Sequence, residues 1–496
     1  MKARDSMPAS TRPLFFAGAV ALVGLVLLVC LAATNSHNPL ASFDWEVVAS
    51  KVAETPSKLF FQPSASTRLN TCGISSDLLD EFGKHNFRLS QVHVGSGYRM
   101  QKVLAKAQRG EQIRIGVLGG SVSLGHGASP KTGRLNTYGA VPYDEQWHQF
   151  VRRFFTDIAG VEPEFKLGAK AATDSTFFEW CWSEMIGTDL DLILVEMAVN
   201  DEYATGMDSS ENLLRSLLQL ESQPAVLYAD TFALRSGSTT QSMLNGQDVQ
   251  NSLASFYDVA QISARPALLP AMISDHSLAK PLFLGDARHG GTKLHRFLGS
   301  MIVGYLEEET CRMQEAVADE QRKQKRGLER DDGWVWPSRD SLGKVPKVKM
   351  NERWDADVSH ATKPPMCRTA GANLEPVAES KDWVLFNWKY SKYYYETKVP
   401  DSEEIVFEAE VKDGARGILA VSFLRSRQYD LGKARCTVGG QSAVLDGYWA
   451  VSTSLAQTAV VAKDLPAGMH RVSCRTLPEE KGGTGTAFRL MGVMTV

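Results

Sequence analysis

Three short stretches of this chain carry residue types that could together break an ester. The first follows an apolar run, Gln112–Leu118 (QIRIGVL), and reads Gly119-Gly120-Ser121-Val122-Ser123-Leu124-Gly125-His126-Gly127. A serine behind two glycines at the end of a strand is placed to be exposed. The glycines allow a tight turn and leave backbone N–H groups free to face an anion. A G-x-S-x-G elbow would need glycine at 123, where Ser123 stands, and a phosphate loop would need G-K-[ST], which does not follow. The second stretch, Met197-Ala198-Val199-Asn200-Asp201, ends another apolar run. There the Asn200 amide could donate to a developing oxyanion. The third is Asp286-Ala287-Arg288-His289-Gly290-Gly291, whose spacing lets a carboxylate reach and orient an imidazole across one turn. Singly, each has a plainer reading: a glycine turn, an Asn-Asp cap, a surface Asp–His pair. Together they supply nucleophile, oxyanion donor, orienting acid and base.

The order Ser, Asn, Asp-x-x-His, each at a strand end or before a helix, resembles the SGNH (GDSL-like) hydrolase superfamily. Gly119-Gly120-Ser121 is similar to its G-D-S block, with Gly120 where Asp is usual. Ala198-Val199-Asn200-Asp201 resembles G-x-N-D, with Ala for Gly, and Asp286–His289 matches D-x-x-H. The block that supplies a backbone N–H from a glycine is similar to the stretch 167–175, where the register falls on Ala172, with Gly168 a poorer alternative. An alanine keeps that N–H but lacks glycine's tolerance for positive φ. The resemblance covers roughly residues 90–310. It implies a catalytic triad of Ser121, Asp286 and His289, and an oxyanion hole of Ser121, Ala172 and Asn200. It also implies a three-layer α/β/α fold around a parallel sheet, and needs neither cofactor nor metal. The cysteines and histidines show no zinc-like spacing.

The elements around these residues alternate. Leu190–Met197 and Ala225–Tyr228 read as strands and Glu162–Leu167 as a short extended piece. Residues 98–109, 146–158, 175–185, 212–220, 249–262 and 292–306 read as helices. Such alternation argues for parallel βαβ units with helices on both faces, and continuous apolar strands fit a sheet covered on both sides. From about Asp382 onward the chain turns to short alternating, aromatic-rich runs separated by Gly and Asp turns, which suggests an antiparallel sandwich.

The chain has 496 residues and a formal net charge of −3, which offers no global electrostatic case for nucleic acid. Lys2, Arg4 and Arg12 precede Pro13–Ala33, 21 residues without a charge. That length fits a bilayer-spanning helix better than a cleavable signal, and the basic flank places residues 1–12 in the cytosol. The expected organisation is a cytosolic tail (1–12), a transmembrane signal anchor (13–33), a stem (34–89), a hydrolase domain (90–310), a charged and loop-like linker (311–375) and a β-sandwich (376–496). This is a type II membrane protein of the secretory pathway (Golgi or ER lumen) or the cell surface, or a secreted one if the anchor is cleaved. Beyond Cys30, six cysteines are available for disulfides in such a compartment. Cys436 and Cys474, in one late segment, are the best candidates for a pair.

A hydrolase domain beside an aromatic-rich sandwich suggests a carbohydrate substrate. Trp383, Trp388, Tyr390, Tyr393, Tyr394 and Tyr395 could stack on sugars or simply fill the sandwich core. The expected activity is a serine esterase removing O-acyl, foremost acetyl, groups from a glycan. An O-acetyltransferase using the same triad and an inactive, membrane-tethered glycan-binding protein are the alternatives.

Overall fold

The computed structural model describes residues 73–127, 141–201, 207–234, 243–283, 287–325, 342–358, 360, 364–389, 392–450, 454–478 and 485–496. The expected membrane segment 13–33, most of the expected stem, Tyr390 and Asp286 lie outside these. Among the described residues no helix is long and apolar enough to cross a membrane.

The first sheet contains β1 (Gln91–His93), β2 (Arg114–Gly119), β3 (Glu164–Ala169), β4 (Leu192–Glu196), β5 (Ala225–Asp230) and β6 (Ala260–Ser263). Its strand order is β1-β6-β5-β4-β2-β3, with β1 antiparallel at the edge and the rest parallel. The chain leaves β2 for β3 on one side and returns to β4 on the other. Ligands bind at such a switch point, beyond the carboxyl ends of the strands.

The apolar strands alternate into two cores. Leu192, Leu194 and Leu227 face α3 (Tyr98–Gln108), α4 (Trp147–Ala159) and α9 (Thr292–Lys325). Ile193, Val195 and Val226 face α5 (Ser175–Ile186), α6 (Met207–Leu218) and α7 (Gly246–Tyr257). Strands whose side chains point alternately to two buried faces have no polar side, which is why their sequences read as unbroken apolar runs.

Three expectations change. The helix read over 249–262 stops at Tyr257, and residues 260–263 form β6, which completes the parallel sheet. A short apolar run suits a buried strand or a buried helix end equally well. The expected stem is structured at its end: α1 (Ser76–Phe82) and α2 (Lys84–Ser90) bury Leu78 and Phe87 in the core of the α/β domain. The expected linker is also largely built. Helix α9 runs on to Lys325, the segment from 342 to 350 docks on α6, and β7 (Met366–Thr369) pairs with the last strand of the chain. Arg215 anchors the docked segment by donating from a fully buried guanidinium to the carbonyls of Lys347 and Val348.

The C-terminal part is all antiparallel. One sheet has the order β10-β15-β12-β13 and the other β14-β11-β16-β9-β8, with β7 also on β16. The strands are β8 (Val384–Lys389), β9 (Lys392–Thr397), β10 (Ile405–Val411), β11 (Leu419–Arg425), β12 (Lys433–Val438), β13 (Gln441–Asp446), β14 (Leu455–Ala462), β15 (Gly468–Thr476) and β16 (Phe488–Thr495). Phe407, Val421, Val472 and Phe488 fill the space between the sheets. Cys436 and Cys474 sit directly opposite on β12 and β15 and are disulfide-bonded.

The two parts share an apolar core. Cys367, Ala420, Met494 and Val496 of the sandwich pack into the cluster that holds Trp182 and Ile186 of α5. The Cys181–Cys367 disulfide ties α5 to β7 across this seam, and Cys311 of α9 is disulfide-bonded as well. Replacing Cys181 and Cys367 by alanine should lower the stability of the chain by about 2–4 kcal/mol. Urea unfolding followed by circular dichroism measures it. An unchanged midpoint would show that the seam holds without the bond.

Candidate active site

Ser121 is the second residue beyond β2, and His289 lies in the loop that leads into α9. Although 168 residues apart, they meet: Ser121 Oγ and His289 Nε2 are 2.8 Å apart, with both residues over nine-tenths buried. An imidazole carrying its proton on Nδ1 accepts the serine hydroxyl at Nε2, the arrangement a general base needs. Both loops are fixed by their backbones. The His126 N–H donates to Ser121 O, the Leu234 N–H to Ala287 O and the Gly291 N–H to Leu282 O. The His126 ring lies 5.5 Å from that of His289. The sequence showed His126 only as part of a glycine-rich run, and its place beside the base comes from the fold. Asp286, the expected third member of the triad, lies outside the described residues.

The two glycines ahead of Ser121 answer steric demands. A Cβ on Gly119 would sit 2.1 Å from Ser123 Oγ, and one on Gly120 would sit 2.6 Å from Asn200 Nδ2. Gly120 therefore lets the Asn200 amide close over the backbone just before the nucleophile. Asn200 turns off the end of β4, its N–H donating to Met197 O, and its Nδ2 donates to Thr173 O at 2.5 Å. One of the two amide protons is thus used to orient the group, and the other remains for an anion.

Ala172 occupies the left-handed region, with φ of 62°. This is the conformation that favours glycine and costs a residue with a Cβ of order 1–3 kcal/mol. Several bonds hold it there. The Lys170 N–H donates to Gly119 O, Thr173 Oγ1 donates to Lys170 O, and the Ala456 N–H of β14 donates to Ala172 O at 2.8 Å. Gly168, the alternative position, lies within β3 opposite Leu118, where a Cβ would strike Ile186. Its glycine serves the packing of α5 against the sheet, so the loop position belongs to Ala172.

Behind these groups stand buried carboxyls, of which sequence patterning had singled out only Asp201, as the neighbour of Asn200. Glu196, the last residue of β4, accepts from Ser123 Oγ and Thr231 Oγ1. Asp230, the last of β5, accepts from Gln261. Burial pushes both carboxyls up to about 8. Asp201 holds the N-terminus of α5 through the Ser175 N–H and hydroxyl and is also raised by burial. His148 and His295 are buried as neutral rings, lowered by desolvation to about 4 and about 3. Their signal in the sequence was weak, because a polar residue inside an apolar run reads equally well as a surface position. Among the described residues no group of three or more potential ligands could hold a metal ion.

Two outcomes follow. Ala172→Gly should raise stability by about 1 kcal/mol by relieving the left-handed strain. A lower melting temperature would mean that the loop's hydrogen bonds depend on the methyl group. The second concerns pH. A carboxyl raised from 4.5 to about 8 on folding stabilises the protein fully below its unfolded value, and this contribution is lost as pH rises through about 8. Glu196→Gln should therefore gain melting temperature relative to the parent as pH is raised from 5 to 8.5. A difference independent of pH would contradict a neutral Glu196.

No family model and no curated protein matches the chain. Solved structures do. One is a two-domain esterase active on acetylated mannans, co-crystallised with mannopentaose; it is 16% identical with a TM-score of 0.54 over 82% of this chain and 97% of that one. A second structure of a two-domain esterase active on acetylated mannans gives 15% identity and a TM-score of 0.55 over 82% and 98%. At this identity the likeness concerns the fold, and it extends over both parts of the chain. The chain thus shares the fold of these two-domain proteins, a parallel α/β sheet domain joined to an all-β C-terminal domain.

Proposed function

We propose that the protein is a serine esterase that removes O-acyl, foremost acetyl, groups from a carbohydrate. The observation that carries this reading is the 2.8 Å contact between Ser121 Oγ and His289 Nε2 at the carboxyl end of the parallel sheet. Ser121 attacks the ester carbonyl as His289 takes its proton. Asp286 orients the imidazole and stabilises its charged form. The Ser121 N–H, the Ala172 N–H and the second amide proton of Asn200 receive the oxyanion. His289 then protonates the leaving sugar hydroxyl and activates the water that frees the acyl group. The likeness to esterases active on acetylated mannans supports a carbohydrate ester as substrate. The conformation of Ala172 speaks against a degenerate, binding-only domain: nothing in sugar binding requires an alanine to hold a strained φ beside the nucleophile. Residues 13–33 would tether the enzyme to a membrane with its catalytic part on the lumenal or outer side.

A fluorophosphonate probe should label the full chain and fail to label Ser121→Ala. Asn200→Ala should keep the label but lose about 10²–10³ in kcat toward an acetylated oligosaccharide. Wild-type protein that is folded yet unlabelled would overturn the esterase reading.

A further inference from the structure

Ser121 stays within reach of His289 only if the turn that carries it and the helix that follows His289 keep a fixed separation. Helix α4 touches both. It opens with Trp147-His148, each fully buried. His148 Nε2 lies 3.0 Å from Ser123 O, two residues beyond Ser121. A carbonyl only accepts, so Nε2 carries the ring proton and donates it. The other ring nitrogen then accepts, and Gln149 Nε2 donates to it at 3.0 Å. Ser123 is held a second time by its hydroxyl, which donates to Glu196 Oε2 at 3.1 Å. Glu196 Oε1 in turn accepts from Thr231 Oγ1 at 3.2 Å.

The head of α4 is also seated on α9. Gly299 of α9 allows the close approach: a Cβ there would lie 2.8 Å from Trp147 O and 2.7 Å from the Phe150 ring. The first N–H groups of a helix have no partner within it. That of Trp147 points to His295 Nδ1 of α9, at 3.4 Å. The His295 N–H donates to Gly291 O, two residues beyond His289. Adjacent residues of one helix therefore bond the nucleophile's turn and the helix of the base. We propose that His148 and Glu196 are positioning residues: they clamp Ser123 through its carbonyl and its hydroxyl and, through the seat of α4 on α9, hold Ser121 Oγ at bonding distance from the His289 ring. The proposal rests on the esterase reading, in which that distance sets the rate.

The test separates rate from fold. His148→Phe keeps a ring and removes the donor, whereas His148→Gln restores an amide N–H near the place of Nε2. In the full chain, His148→Phe should lower both kcat toward an acetylated oligosaccharide and the rate of fluorophosphonate labelling by about 10²-fold, with KM little changed. His148→Gln should recover most of both rates. Ser123→Ala removes one oxygen atom and keeps the carbonyl; it should lose about tenfold in the same two rates, and it decides the matter if His148→Phe does not fold. Rates are read well below the melting temperature of each variant, where a loss of stability alone leaves them unchanged. Parent-like rates in folded His148→Phe or in Ser123→Ala, a change confined to KM, or a His148→Gln as slow as His148→Phe would overturn the clamp. Failure of the esterase reading shows differently, as a folded parent chain that the probe does not label.

Discussion

Parallel pairing of β2 with β4 brings Gly119 level with Glu196, so the two turns that leave these strands emerge side by side from one end of the sheet. The rest of the site follows from that crowding. The backbone ahead of Ser121 must be bare, because Ser123 Oγ and the Asn200 amide occupy the space where two Cβ atoms would lie. The same closeness buries Glu196 beneath the turn, where it accepts from Ser123 and is kept neutral by desolvation. A neutral carboxyl can join a hydrogen-bond network behind the nucleophile without placing a negative charge opposite a developing oxyanion.

The second domain enters the site through its backbone. Ala172 is held in a conformation that costs it free energy, and the bond from Ala456 is one of those that offset the cost. Helix α5, which follows that loop, is clamped to the sandwich by a shared apolar core and by the Cys181–Cys367 disulfide. The loop that would receive an oxyanion is thus fixed from two sides, by β2 through Lys170 and by β14 through Ala172. Preorganised donors of this kind need no rearrangement as charge develops.

The aromatic run of the sandwich shows how one composition divides into different tasks. Trp383 and Tyr395 are buried between the sheets, their polar atoms donating to Glu403 O and Leu374 O. Tyr394 and Tyr429 surround the buried Arg489, which is paired with Glu396. Most of the run is core, as aromatic side chains on alternating strands tend to be. Trp388, half-buried, packs edge-on against Tyr429 with the Lys392 ammonium 5.7 Å from its ring centre.

The sequence by itself determined the local chemistry and the class of fold. Largely apolar runs at 112–118 and 190–197 pointed to strands buried on both faces. Gly119-Gly120-Ser121 and Asn200-Asp201 stood at their ends, and Cys436 and Cys474 lay close enough to pair. These features are local, set by the period of side chains along a strand and by what a turn can hold. The meeting of Ser121 with His289 across 168 residues was suggested by resemblance, and its geometry is a property of the packed sheet. The register of the resembling motif already pointed to Ala172, with Gly168 the poorer alternative, but only the fold shows that Gly168 lies inside β3 while Ala172 lies on the loop in the left-handed region. The strand hidden at 260–263 and the helices hidden in the stem likewise depended on long-range contacts, because short apolar segments take their conformation from what they pack against. The neutrality of Glu196 and Asp230 arises from desolvation, which exists only once distant parts of the chain have closed over the group.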